Sequence, residues 1–369
     1  MSLTPHSDTS ASDLFQSAHQ RSIELFKAGD SQKAYQTVTE ALATGKPGPD
    51  LHLKMLRNAV AFAQGMRRPL ETLKAAQALR AALNWEAIKG APVDNAIAET
   101  ALLEAEMAMM LRDPQRAIAA ARDALALRGK AYDAKPTPVT RGPLLDAYVA
   151  MARHGAASGQ EAIAQEALRA AEPLLAAESR NDPATQQRRA MLTRIRITLA
   201  QRAGRHTEAV AALREALDQL GNSRETGNER LQVLTRLARS HLALGDDQAA
   251  MADIANAEAI LSDLNGLPER AEATLKSGLL GLRAEAELAL GERVSAREHF
   301  QAALDVLAPH EGADLDAVRQ QIAVPYANLL REDGEDAAAE TVLAGLARTP
   351  EHSHHHGHGS HAAHHHPHR

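Results

Sequence analysis

Six glycines, Gly29, Gly159, Gly204, Gly245, Gly291 and Gly334, each stand between two amphipathic runs, and they fix a register that few folds can accommodate. Five residues beyond each stands alanine: Ala34, Ala164, Ala209, Ala250, Ala296 and Ala339. Twelve residues beyond stand Ala41, Ala171, Ala216, Ala257, Ala303 and, as the exception, Leu346. A glycine that ends one helix can take the left-handed conformation at little steric cost. The next residue is Asp30, Asp246, Glu292 or Glu335 in four cases, where a carboxylate suits the start of a second helix. Alanines seven apart then lie two turns apart on one face of that second helix and let the two helices of a hairpin approach closely.

The runs before the glycines have helical rather than strand period, as in Val233, Leu234, Leu237 and Leu244 before Gly245, or Leu279, Leu280 and Leu288 before Gly291. Pro and polar clusters mark joints between hairpins at Lys46–Asp50, Lys135–Pro138, Asn181–Pro183, Gly266–Pro268 and Ala308–Pro309. Composition agrees with this reading. Hydrophobic residues make up 44% of the chain but aromatics only 2%, so the apolar content is mostly Ala and Leu, which favours helix over sheet.

This pattern resembles the tetratricopeptide repeat. The stretch around Gly291 carries the resemblance best, with Ala284 at the small position of the first helix, Ala296, Phe300 and Ala303 in the second, and Pro309 just past its end. Gly204 with Ala209, Leu213, Ala216 and Leu217 is similar. The resemblance covers residues 12–348, leaving a polar lead-in over 1–11 and a His-rich tail over 349–369. From Gly159 the markers are 45, 41, 46 and 43 residues apart, against about 34 for the family, and the family's early Trp and Tyr are replaced, for example by Leu234 and His241. Between Gly29 and Gly159 the register weakens: Gly65 lacks the alanine companions, and Arg112-Asp113 stand where a glycine is expected. Hairpins are placed there by periodicity and by Ala117, Ala124 and Leu125. The expectation is an all-α, right-handed α-solenoid of about eight helical hairpins, with stability spread along the array.

The resemblance implies an adaptor or co-chaperone-like scaffold that binds a protein or peptide on the concave face lined by first helices, and it leaves association with a second copy open. The residues themselves exclude several other classes. With 41 Lys plus Arg against 47 Asp plus Glu the net charge is −6, with no long single-sign block, so nucleic acid is not an expected partner. There is no cysteine, hence no disulfide, thiolate site or cysteine nucleophile. No apolar stretch of about 18 residues occurs, and the start lacks a basic and apolar leader, so a cytoplasmic, non-membrane protein is expected. No phosphate loop, zinc-protease helix or nucleophile elbow is present, and the letters Gly357-His-Gly359-Ser-His-Ala362 follow no strand, so no enzyme activity is expected.

Two features stand out from the repeats. Arg188 and Arg194 are followed 42 residues later by Arg230 and Arg236, and the apolar pairs Leu192/Ile195 and Leu234/Leu237 recur at the same offset. In equivalent first helices, these four arginines are candidates to clamp an acidic peptide or terminal carboxylate; solvated arginines pairing with Glu225, Glu229 and their neighbours are the alternative. The tail holds ten of the 18 histidines, at His352, His354, His355, His356, His358, His361, His364, His365, His366 and His368. Such a segment has no core to bury and reads as disordered. It suits three roles: buffering or delivery of Ni, Zn or Cu with the array as client-binding module, a solvated tail with incidental metal affinity, or a charge switch near the imidazole pKa of about 6.5. Of single residues, Trp85 is expected to pack, the group Met107, Met109 and Met110 to lie in the core with an adaptable binding surface as the alternative, and His241 and His299 to satisfy local hydrogen bonds.

Overall fold

The computed structural model of the chain describes residues 8–348. Sixteen α-helices occur among the described residues, and they fall in two compact units that divide after Arg205. The first unit holds α1 (Asp8–Lys27), α2 (Ser31–Ala43), α3 (Pro49–Gly65), α4 (Pro69–Ile88), α5 (Asp94–Met110), α6 (Pro114–Ala134), α7 (Pro138–Ala157), α8 (Glu161–Ala176) and α9 (Pro183–Arg202). The second holds α10 (His206–Leu220), α11 (Gly227–Ala243), α12 (Asp247–Asp263), α13 (Glu269–Ala289), α14 (Arg293–Leu307), α15 (Ala313–Glu332) and α16 (Asp336–Ala344), closed by a short 3-10 turn, Gly345–Arg348. Within each unit odd-numbered helices are the first members of hairpins and even-numbered helices the second, and the division falls between α9 and α10. First helices of 17 to 21 residues account for much of the long repeat.

Every first helix is joined to its second by three residues, and the middle one is left-handed in all eight turns. Six of these are the glycines of the register. The other two are Arg67 (φ 54°) and Arg112 (φ 59°), so the register continues through the region where glycine fails. Gly65 is therefore not the marker of the second hairpin. It is the last residue of α3, and a Cβ there would lie 2.7 Å from Ser31 Oγ and 3.2 Å from Phe26 Cε2, so its lack of a side chain lets α3 seat against its neighbours. Counted from the left-handed residue, the fifth position is Ala34, Thr72, Ala117, Ala164, Ala209, Ala250, Ala296 and Ala339, each no more than 1% exposed.

The turns close by backbone bonds. In seven of the eight, the N–H after the left-handed residue donates to the carbonyl five residues earlier, as from Asp30 to Leu25 (3.0 Å) and from Glu292 to Glu287 (2.8 Å). The same residue then starts the next helix. Asp30, Asp113 and Asp246 accept from the backbone N–H groups of Lys33, Arg116 and Ala249. One residue thus ends one helix and caps the next.

Within each unit every helix packs on the next in sequence, and first helices also touch: α1 with α3, α5 with α7, α7 with α9, α11 with α13, and α13 with α15. No pair of second helices among the described residues comes into comparable contact. First helices therefore take the tighter, inner side of each unit. The cores follow the stack. In the first unit one apolar cluster runs from Phe15 to Ile97 and a second from Ala105 to Leu199; in the second unit clusters centre on Ile254 and Phe300.

Candidate functional site

The four arginines fall two in each unit, and each pair is described within its own unit. Leu192 and Ile195 are buried on α9, as are Leu234 and Leu237 on α11, but Gly204 and Gly245 stand 41 residues apart and the arginine pairs 42, so counted from their own turns the two pairs sit one residue out of register and are not equivalent. Arg188 is already engaged. Its Nε and Nη2 donate to Asp146 Oδ1 and Oδ2 on α7 at 2.7 and 3.2 Å, and these bonds hold the guanidinium pKa above its usual value. One turn earlier on α7, Gly142 leaves room for it: a Cβ would stand 3.2 Å from Arg188 Nη2. Arg194 is exposed, whereas Arg230 and Arg236 are half-buried, and Arg230 Nε meets no hydrogen-bond acceptor among the described residues.

A fifth arginine, which the sequence did not single out, completes a cluster with Arg188. Arg128 on α6 is only 8% exposed. Its Nη1 donates to the carbonyl of Pro143 at 3.0 Å, its Nε meets nothing, and no carboxylate among the described residues lies within ion-pair distance. Burial pushes its pKa down; Asp146 and Glu99 act against that from a distance, and Arg188 adds to it. A desolvated guanidinium held by one neutral carbonyl is costly, on the order of several kcal/mol before compensation. Arg128, Arg188 and Asp146 thus form a cluster with one uncompensated positive charge, near the start of α7 and α9. Its chemistry suits a carboxylate or phosphate oxygen offered from outside.

Elsewhere ion pairs join one hairpin to the next. Arg205 with Glu161 (2.6 Å), Arg270 with Asp314, and Arg293 with Asp333 (2.5 Å) all span about one repeat. Such pairs between distant positions in the chain carry no local sequence signal. His241 and His299 find local partners as expected: His241 Nδ1 lies 2.6 Å from Asp253 Oδ2, and His299 Nδ1 lies 2.7 Å from Glu287 Oε2.

Trp85 is a correction. It does not pack in the core but stands 60% exposed near the end of α4, with Lys89 Nζ 5.6 Å from its ring. It lies on the face of α4 that carries Ala78 and Ala81, exposed as well, and opposite the face that buries Leu79 and Leu83. The methionines divide: Met109 packs on the core, whereas Met110 is 61% exposed. The ten tail histidines lie outside the described residues. Among the described residues, no group of three or more His, Asp or Glu is placed to hold a metal ion, and no helix is long and apolar enough to cross a membrane.

No protein-family model matches the sequence, and no curated protein matches it. Solved structures do. RapI in its apo form is 12% identical, with 90% of this chain and 84% of that chain covered at a TM-score of 0.55. The quorum sensor NprR of B. thuringiensis, also apo, is 12% identical over 90% of this chain and 86% of that one (TM-score 0.49). A tetratricopeptide repeat protein from Parabacteroides merdae is 14% identical over 84% and 98% (TM-score 0.44). At these identities the likeness is one of fold. The chain has an all-α fold of successive helical hairpins similar to that of RapI, the hairpin architecture that its glycine and alanine register implied.

Proposed function

We propose that this chain is a non-catalytic scaffold, working in the cytoplasm, that holds a protein or peptide partner on the inner side of its helical hairpins. The observation that carries this reading is Arg128, which reaches from α6 to Pro143 on the first helix α7: a guanidinium nine-tenths buried, with no carboxylate of its own, beside Arg188 of the first helix α9. An acidic side chain or terminal carboxylate of the partner supplies the missing charge there. Arg194, exposed on the same helix as Arg188, extends the cationic set within the first unit; Arg230 and Arg236 are candidate contacts of the second unit taken by itself.

A generic acidic peptide can stand in for the partner in the test. Replacing Arg128 by Met removes an uncompensated charge and keeps the volume, so the free chain is expected to gain about 1–2 kcal/mol of stability while losing salt-sensitive binding of an oligoglutamate peptide. Destabilisation of the free chain by Arg128→Met would show that the charge is already compensated inside the fold, and the site would fall with it. Reversing Arg194 to Glu then tells whether the rest of the first unit's set contributes, and reversing Arg236 to Glu tests the second unit's pair separately.

A second reading rests on the ten histidines between His352 and His368: the tail takes up Ni, Zn or Cu, and the hairpins address the metal to a client. Calorimetric titration of each metal into the full chain and into a chain lacking residues 352–369 decides it. Equal, weak binding to both sinks the metal role.

A further inference from the structure

The exposure of Trp85 belongs to a built surface. A groove of about 540 Å³ runs between α3 and α4 and is bounded at one end by Lys46 and Pro47 of the joint after α2. Its α4 wall is Ala78, Ala81, Ala82 and Trp85, one face at helical spacing, and its α3 wall carries His52, Leu53 and Leu56. Outward positions on a helix are ordinarily charged. Here Ala78, Ala81 and Trp85 are exposed, and Ile88, one turn beyond Trp85, is 77% exposed. Alanines leave a smooth wall that a further helix could approach closely, and the buried positions of α4, such as Leu73, Ala76, Leu79 and Leu83, already serve the core.

The rim has a sign. Glu86, the one acidic residue lining the groove, is paired with Lys89 at 3.3 Å, whereas Lys46 has no carboxylate within ion-pair distance among the described residues. The pKa of His52 is depressed by burial and then by Lys46, which agrees with a positive rim. One positive charge is left unmatched beside an apolar floor, and the complementary occupant is apolar on one face and acidic on the other.

We propose that the groove between α3 and α4 docks an acidic amphipathic helix of a partner protein, with its apolar residues on Trp85 and the alanine wall and its carboxylates toward Lys46. This surface is separate from the Arg128 cluster, so either can fail alone. Trp85 is the only tryptophan, and its emission therefore reads the groove directly. The probes are two synthetic helical peptides of about five turns with the same leucine spacing, one carrying glutamates and the other lysines. The glutamate peptide is expected to shift the full chain's emission to the blue and to saturate. Lys46→Glu should weaken it about tenfold and improve binding of the lysine peptide, and Ala82→Arg should abolish binding of both while circular dichroism stays unchanged. Equal binding of the two peptides by the unaltered chain, no shift with either, or indifference to Ala82→Arg would overturn the proposal. A shift that follows chain concentration without peptide would do so too, by making a second copy the occupant.

Discussion

The hairpin α7/α8 in the first unit and the hairpin α11/α12 in the second place opposite chemistries at the same positions. Four residues before the left-handed glycine and eight after it, α7/α8 has Gly155 and Ala167, and α11/α12 has His241 and Asp253. The first pair lets the helices close to contact: a Cβ on Gly155 would stand 3.0 Å from Ala164 N. The second replaces that contact by a 2.6 Å bond. The next hairpin reverses the order, with Glu287 before its glycine and His299 after it. The seam between two helices thus tolerates either a close apolar approach or a satisfied polar pair, provided both members are present.

The same two hairpins show what burial does to a histidine with and without such a partner. His154, the residue before Gly155, and His241 are both 3% exposed. His154 Nε2 meets no partner among the described residues, and burial, aided by Arg153, pushes its pKa down to about 4. His241 has Asp253, with Arg214 Nη2 3.4 Å from its other ring nitrogen.

The largest expected effect breaks this comparison by acid. The folded chain holds His154 neutral down to about pH 4, whereas the unfolded chain protonates it near 6.5. The stability it protects is present above pH 6.5 and is lost as the pH falls toward 4, by up to about 3 kcal/mol. Hydrogen exchange of α7 amides should lose protection between pH 7 and 4.5, and His154→Leu should remove that dependence. Unchanged α7 protection across the range would mean that the imidazole is not isolated.

A smaller effect lies in the second unit. His241→Leu strands a carboxylate whose pKa burial already raises, and should cost about 2–3 kcal/mol at neutral pH. Because a raised carboxylate pKa favours the protonated fold, this loss should shrink as the pH drops toward 4. Exchanging the pair, His241→Asp with Asp253→His, copies the order found in α13/α14. It should stay within about 1 kcal/mol of the parent by denaturant unfolding; a cost as large as that of the single change would show that the order is fixed by neighbours.

The smallest effect concerns the turns. Arg112→Gly relieves a left-handed arginine, worth about 1 kcal/mol or more, against a glycine entropy cost of about 0.5–1 kcal/mol, so a gain of about 0.5 kcal/mol is expected in thermal unfolding. Arg67→Gly should behave alike.

These turns also mark how far the sequence was readable. Glycine announces a left-handed residue, so six turns and their alanines were legible, and with them the hairpin architecture. Arg67 and Arg112 were not, because nothing in an arginine's side chain declares its backbone conformation; only Ala117 and Ala124, still in register, hinted at the second. The candidate site was less legible. That Arg188 and Arg194 lie on a first helix followed from the repeat, but their match to Arg230 and Arg236 missed the register by one residue, and the partner Asp146 lies 42 residues away on another hairpin. The burial of Arg128 depends on how α6 meets Pro143 rather than on its neighbours in sequence. Trp85 was misjudged because a lone aromatic in an Ala and Leu run is ordinarily core, and only the packing of α4 shows that its face with Ala78 and Ala81 is left outward.

The three-residue turns set a contrast with the joints between hairpins, which range from three to six residues. A turn whose middle residue must be left-handed, and whose last residue serves two helices at once, has no slack: a single added residue unseats a closing bond and a cap together. Grafted epitopes, protease sites or fluorescent reporters therefore belong at residues 89–93 or 264–268, where no such double duty exists. Length polymorphism among kindred chains should gather at the same places, so that the chain can be lengthened between its hairpins while the hairpins themselves stay closed.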